Sequence, residues 1–467
     1  MKLALRNRIA HGVQALTGRK ASTADTAGLP VLTPLQPIDL RDTEAVGEVL
    51  EVATKIGEVL LDSGTGAVDT EAQIRYVAAT YGIDKCIVTV TYNAITVSVE
   101  RGRGLPPSTY VRTVNHRSLD YTRLAQVDSL VRRIGRGVLR PDVAQREVEH
   151  IMTAGHPYPR PIAIAGWAIM AAALTLLLGG ALPLALVSLV STALIYAVNV
   201  RLGQAGLPYF FQQVVGGFLA TLPAALIYRL SLTLEWDVEP YRMIVSGIIV
   251  LMAGLSLVGS VQDAITGAPV TGAARFFEVV VFTGGVVAGV GMALRVTSEL
   301  GATLPPLQQA PFDYAPLPIL VVTGGVAAAA FALAGYAQRR ALTASFLAGC
   351  AGALVAGAML NIGLGPIVAS AGAATVVGLA GGLLARRAVV PPLIVAVAGI
   401  TPLVPGLAVY RGLSELMSGQ TTAAISNMAT ALAVGCALAA GVTFGEWMAR
   451  TIRRPRIARI TFRRARG

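Results

Sequence analysis

The chain has 467 residues, of which 54% are apolar and 14% charged, and its mean hydropathy is +0.63. Soluble domains carry about 25% charge; here residues 162–449 hold 10 Lys+Arg and 9 Asp+Glu, against 20 and 17 in residues 1–161 and 8 and 0 in residues 450–467. So long a stretch with so few charges needs lipid as its solvent, which excludes a soluble globular protein.

The pI near 9.9 does not indicate a nucleic-acid partner. Most of the excess lies in the tail TIRRPRIARITFRR, directly after an apolar segment, where inner-face anchoring charges belong. Cys86, Cys350 and Cys436 are far apart and form neither a disulfide framework nor a metal pair.

Residues 1–40 are rich in Pro, Thr and Ala, have no period, and read as a disordered arm. They contain no apolar stretch of signal-peptide length, so the N-terminus is expected in the cytoplasm. Val46, Val49, Leu50, Ala53, Ile56 and Leu60 recur at three and four, predicting an amphipathic helix that stops at Ser63-Gly64. A second helix is expected over 68–81. The alternating runs CIVTVTY and AITVSVE, split by Asn93, and then STYVRTVN predict a small sheet with a hairpin. Leu124, Val127, Leu130, Val131 and Ile134 mark a third helix and DVAQREVEHIM a fourth. Residues 43–156 are therefore expected to form a cytoplasmic α+β domain.

HPYPRP at 156–161 marks the boundary, and ten stretches after it approach the ~20 apolar residues that a span needs. They are 162–180, 183–200, 208–228, 243–262, 277–297, 317–337, 341–360, 365–385, 388–410 and 422–449. The expected fold is a mainly α-helical polytopic membrane protein, with membrane halves at 162–300 and 317–449 and a basic cytoplasmic tail at 450–467. With the N-terminus inside, the inner connections hold Arg201, Arg275, Arg339, Arg340, Arg386 and Arg387 besides the tail. The outer ones hold Arg229, Arg242, Arg295 and Arg411, several offset by Glu235, Asp237, Glu239, Glu299 and Asp313. Both termini are thus expected inside a cytoplasmic cell membrane.

The fourth and ninth spans look alike. IIVLMAGLSLVGSVQDAITG lies without gaps on LIVAVAGITPLVPGLAVYRG, matching Ile249 with Ile394, Gly254 with Gly399 and Gly267 with Gly412. Shared Gly/Ala composition is the bland explanation. If the repeat is real, five spans per half give opposite orientations, the inverted-repeat design of secondary transporters. Such proteins bind substrate where helices break near the bilayer midplane. Two segments qualify, QDAITGAPVTGAARFFE (262–278) and GITPLVPGLAVYRG (399–412), with an ordinary loop and a kinked helix as their plain alternatives.

These strings resemble the threonine/serine exporter family of bacterial secondary transporters. The resemblance runs from about residue 37 onward, through LLDSGTGAVDTEAQIRYVAATYG, GLPYFFQQVVGGFLATLPA, DAITGAPVTGAARFFE, GGLLARR and PPLIVAVAGITPLVPGLAVYRG. Asp69 stands two residues before Glu71, where the family pattern often has Arg. The resemblance implies export of L-threonine and L-serine driven by the proton motive force, with protons and membrane lipid as further partners, room for a homo-oligomer, and no cofactor. Dicarboxylate export is the competing transport reading; a membrane-anchored enzyme and a passive channel are the readings of other classes.

A zwitterionic amino acid needs one partner for its carboxylate and one for its ammonium, both costly in lipid unless they face a protected cavity. Arg275 suits the carboxylate, while Asp263 or Glu278 suits the ammonium or the coupling proton. An interfacial role is the plain alternative for Arg275, as it is for Glu446 near Arg450. The candidate site comprises Asp263, Thr266, Gly267, Arg275, Glu278, Asn361, Thr401, Pro402, Pro405, Gly406 and Tyr410. Gln212, Gln213 and Asn427 read as helix–helix hydrogen-bonding groups. His11, His116, His150 and His156 show no metal-ligand spacing, Ser63 lacks a GxSxG context, and no phosphate-binding GxxxxGK[ST] occurs.

Overall fold

The computed structural model describes residues 37–453 apart from 103–104, 115–118, 235–243, 245–246, 249–250, 252–253, 300–314, 386–389 and 418. The arm to residue 36, the tail beyond 453, much of the fourth expected span, and Glu235, Asp237, Glu239, Arg242, Asp313, Arg386 and Arg387 lie outside the described residues.

Helix α1 (Thr43–Asp62) begins where Asp42 accepts the N–H groups of Glu44 and Ala45 at 2.9 and 3.3 Å, satisfying two donors that a helix start leaves open. It ends at Ser63, after which Gly64 takes φ +90°, a conformation that only glycine adopts freely. There follow α2 (Ala67–Thr80), β1 (Cys86–Val90), β2 (Ala94–Val99), β3 (Ser108–Thr113), α3 (Tyr121–Gly135) and α4 (Pro141–Thr153). The strands make one antiparallel sheet in the order β1-β2-β3, with Val88 opposite Val97 and Val97 opposite Tyr110. Period-two alternation buries Val88, Val90, Ile95, Val97 and Val99 on the side packed by α1 and α2, and leaves Ile87 and Val111 facing out.

The helices of the second region are α5 (Arg160–Leu177), α6 (Leu182–Gln204), α7 (Tyr209–Leu234), α8 (Gly254–Thr266), α9 (Pro269–Glu299), α10 (Leu317–Ala334), α11 (Arg339–Asn361), α12 (Pro366–Ala385), α13 (Pro392–Ile400), α14 (Gly406–Met417) and α15 (Thr421–Arg453). Among the described residues eight are long and apolar enough to cross a membrane: α5, α6, α7, α9, α10, α11, α12 and α15. They fall on eight of the ten expected spans. The ninth is discontinuous: α13 passes into a 3-10 turn at Thr401–Leu403, and α14 restarts at Gly406. Of the fourth, α8 is the continuous described part.

The two membrane halves repeat each other's packing. Helix α5 packs on α6 as α10 packs on α11, α6 on α7 as α11 on α12, α7 on α9 as α12 on α15, and α8 on α9 as α14 on α15. Across the halves, α8 touches α15 and α14 touches α9, the reciprocal pair that a twofold relation requires. Glycines carry the same crossing in each half. A Cβ at Gly217 would meet Val286 O at 2.3 Å, and one at Gly378, 161 positions on, would meet Val442 O at 2.5 Å. On the facing helices Gly289 approaches Val214 O and Gly445, 156 positions on, approaches Thr375 O, each too closely for any side chain. Backbones in lipid associate through such small-residue contacts. Coincidence of composition does not reproduce matched crossings on matched helix pairs.

The N-terminal unit is seated on one end of this bundle. Tyr121 N–H donates to Gly335 O at 2.8 Å and Thr122 Oγ1 to Tyr336 O at 2.5 Å, both in the α10–α11 connection. His156 stacks on Tyr336 with ring centroids 4.1 Å apart, and its Nδ1 lies 2.8 Å from Asp120 Oδ2. The second point of attachment is the α8–α9 turn.

Candidate functional site

Segment 262–278 is a helical hairpin, and this corrects the expectation of an unwound break between two spans. Helix α8 runs to Thr266, whose hydroxyl donates to Gln262 O at 2.9 Å; Gly267 turns the chain at φ +108°, and α9 starts at Pro269. Proline suits a first helical position because its missing N–H would have no partner there. The hairpin closes tightly: a Cβ at Gly272 would meet Ser260 O at 2.6 Å.

Asp263 and Arg275 face each other across the hairpin, Nη1 to Oδ2 at 2.8 Å, and are 1% and 5% exposed. A solvated loop charge is therefore not what the fold contains. The other carboxylate oxygen of Asp263 accepts the N–H of Ala67, the first residue of α2, at 3.0 Å. Gly66 occupies the N-cap of α2 with no side-chain hydrogen bond, and a Cβ there would lie 3.1 Å from Asp263 Oδ1. A membrane helix thus supplies the capping anion that α2 does not carry itself, at the end where the helix dipole favours negative charge. A charge-assisted bond of this kind contributes about 1.5–3 kcal/mol. Beside it lies a cavity of about 250 Å³, lined by Ala67, Glu71, Thr89, Thr91, Pro269 and Thr271 among others. Glu278, one turn beyond Arg275, is half-buried within electrostatic reach of Tyr209.

The remaining expected site residues lie elsewhere. Thr401, Pro402, Pro405 and Gly406 form the break of the ninth span. There Thr401 Oγ1 donates to Val397 O at 2.9 Å, and Val404 and Pro405 interrupt the helical ladder. This segment packs against α10 and α11; Gly399 just before it admits Val377 and Ala348, which a Cβ would meet at 2.6 and 3.2 Å. Tyr410 belongs to α14, and its side chain lies outside the described residues. Asn361 ends α11 in an exposed position and borders a cavity of about 210 Å³ with Pro316, Leu317 and Leu320. Glu446, expected at an interface, is buried on α15 beside Gly382.

The Asp263–Ala67 contact was not foreseen, although the sequence held one sign of it. A helix that starts after Gly64-Thr65-Gly66 has no Ser, Asp or Asn at its N-cap and needs an acceptor from elsewhere. Glu415, which no sequence motif marks, is buried on α14 and accepts Asn427 Nδ2–H at 2.7 Å.

The fold is that of a multi-pass helical membrane protein whose two similar halves carry an α+β unit at one end. A family model described as "Putative threonine/serine exporter" matches residues 51–297, and a second, "Threonine/Serine exporter, ThrE", matches residues 321–448. The chain belongs to the threonine/serine exporter family. It is 44% identical over 444 residues, 94% of this chain and 90% of the relative, to the "Threonine/serine exporter" of Corynebacterium glutamicum. It is 36% identical over 418 residues, 87% of this chain and 77% of the relative, to the "Probable threonine/serine exporter" of Mycobacterium tuberculosis (strain ATCC 25618 / H37Rv). No solved structure matches it.

Proposed function

We propose that this chain exports L-threonine and L-serine across the cytoplasmic membrane in exchange for protons, with the N-terminal unit and both termini inside. The names of the two relatives support the substrates, and the Asp263–Arg275 pair carries the chemistry. A zwitterion inserting into a buried ion pair replaces one charge contact by two, its carboxylate taking Arg275 and its ammonium taking Asp263, so neither protein charge is left unpaired in a dry site. Pairing of one cation with one anion favours a zwitterion over a dicarboxylate, which would want two cations. Engagement of Asp263 by an ammonium also competes with its bond to Ala67, so substrate loosens the N-terminal unit from the hairpin. Asp263 or Glu278 gives the coupling proton a resting place on the inner side.

The test is efflux from vesicles preloaded with threonine, serine or succinate, with and without a protonophore. Protonophore-sensitive efflux of the two amino acids and none of succinate is expected. Succinate efflux alone would replace the substrate assignment, and protonophore-insensitive efflux would remove the driving force.

A further inference from the structure

The second membrane half holds a buried polar pair in the place where the first half holds Asp263 and Arg275. Glu415, 6% exposed, sits near the end of α14, and Asn427 of α15 donates to its carboxylate at 2.7 Å. Each pair bridges the hairpin formed by the last two spans of its half, α8–α9 or α14–α15, and in each the partners are 12 positions apart. Arg275 lies six residues after Pro269, the start of α9, and Asn427 six after Thr421, the start of α15. The glycine crossings relate α9 to α15 by 156 positions, whereas Arg275 and Asn427 are 152 apart. That difference is about one helical turn, so the two residues project from the same helix face. With the broken α13–α14 segment counted as a crossing beside α9, α10, α11 and α12, five crossings separate the hairpins and put them at opposite ends of the bundle.

We propose that Glu415 and Asn427 are the exit-side counterpart of the Asp263–Arg275 pair, with Glu415 as the carboxyl that receives the substrate's ammonium and exchanges it for a proton from outside. This rests on the export reading above. The difference between the pairs gives the direction. Arg275 holds a substrate carboxylate, whereas the neutral Asn427 holds it weakly, so the exit side lets the amino acid go while Glu415 binds the proton that replaces its ammonium. The charged groups on α14 and on α9, which packs on it, are Arg411, one turn before Glu415 on α14, Arg275 and Glu278 near the start of α9, and Arg295 and Glu299 towards its end. On α15 the charges Glu446 and Arg450 lie towards the far end.

The experiment uses the full chain in proteoliposomes loaded with threonine. Net efflux is measured with and without an acid-outside gradient, beside threonine–threonine exchange at equal pH. Glu415→Gln keeps an acceptor for Asn427 but offers neither a charge for the ammonium nor a site for the proton, and at normal membrane abundance it is expected to lose the stimulation by the gradient and to slow exchange about tenfold or more, a loss above about 1.4 kcal/mol. Asn427→Ala leaves the carboxyl in place and is expected to shift the external pH of half-maximal stimulation. Asn427→Arg is expected to make external threonine an inhibitor of efflux at about tenfold lower concentration, a gain of about 1.4 kcal/mol. Retained stimulation or wild-type exchange in Glu415→Gln, or an unshifted profile in Asn427→Ala, would overturn the assignment. A wild-type chain that exports threonine without any response to the gradient would instead overturn the proton-driven reading itself.

Discussion

Asp263 Oδ1 lies 3.0 Å from the amide nitrogen of Ala67, so the last turn of one membrane helix caps the first turn of a helix 196 residues earlier. The absence of a side chain at Gly66 makes room for this contact. Gly66→Val should push α2 off the hairpin without touching either charge. Hydrogen exchange at the first amides of α2 is expected to accelerate about tenfold or more, consistent with loss of a charge-assisted bond. Exchange as slow as wild type would mean that the seam tolerates the added side chain.

The attachment of the N-terminal unit to both the α8–α9 and α10–α11 connections places those two connections on one side. Reporters fused after Arg340 and at the C-terminus should therefore read inside, and reporters after Gly180 or within 310–316 should read outside. An inside signal from 310–316 would remove the ten-crossing arrangement.

Local signals in the sequence were enough for the secondary structure, because they are properties of neighbouring residues. The three-and-four spacing from Val46 to Leu60 is α1, and the alternation about Asn93 is the β1–β2 hairpin. The break at Thr401–Pro405 was legible because proline cannot donate to a helical ladder. The partners of the charges were not legible. Nothing in the neighbourhood of Asp263 says whether it meets water, lipid or a helix start, and the same string QDAITGAP serves a loop or a hairpin equally well. The repeat, faint when spans four and nine are laid side by side, becomes plain in the backbone crossings at Gly217, Gly289, Gly378 and Gly445, because packing preserves small residues at contacts and little else.

The break in the ninth span has a test that leaves all charges alone. Pro402→Ala with Pro405→Ala restores two N–H donors and removes the steric barrier to a continuous helix, worth about 3 kcal/mol per proline in a helix interior. Export is expected to fall sharply at normal membrane abundance, since a straight α13–α14 rod would displace Thr401 from its place against α10 and α11. Unchanged efflux would show that the irregular backbone is not needed for transport.

In the N-terminal unit, Lys55 of α1 bonds Glu149 of α4 at 2.5 Å and Glu51 at 2.7 Å. Burial alone would lower the Lys55 value, but the bonds to Glu149 and Glu51 outweigh it and raise it; the bond from Lys55 lowers Glu149 below the usual carboxylate range. A raised lysine contributes stability that is full below its unfolded value and lost as pH rises through the folded one. A lowered glutamate contributes stability present above its unfolded value and lost as pH falls through the folded one. The α1–α4 contact is thus expected to hold across neutral pH and to weaken in acid and in strong alkali. Hydrogen exchange in α4 should separate wild type from Glu149→Gln at about pH 6 and make them alike well below the ordinary glutamate value of about 4.3. A difference that persists in acid would mean that the bridge is not its source.

Asp263→Asn should impair export far more than Glu235→Gln. Asparagine can still accept the Ala67 N–H, so α2 keeps a neutral cap, but Arg275 loses its counter-charge in a site only a few percent exposed. Stranding one member of a buried pair costs about 3–5 kcal/mol, enough to lower abundance as well as activity, so membrane content is measured beside efflux. The double variant Asp263→Asn with Arg275→Gln separates the two effects. It removes the stranded charge and should recover abundance, yet it offers a zwitterion neither of its partners and should remain inactive. Glu235 stands in a segment expected outside with Asp237 and Glu239 nearby, where water and ions screen each charge, and its neutralisation should leave efflux close to wild type. Efflux per molecule is expected to drop about tenfold or more in Asp263→Asn, a loss above about 1.4 kcal/mol of transition-state stabilisation. Normal efflux from a normally abundant Asp263→Asn protein would confine Asp263 to holding the two parts of the chain together.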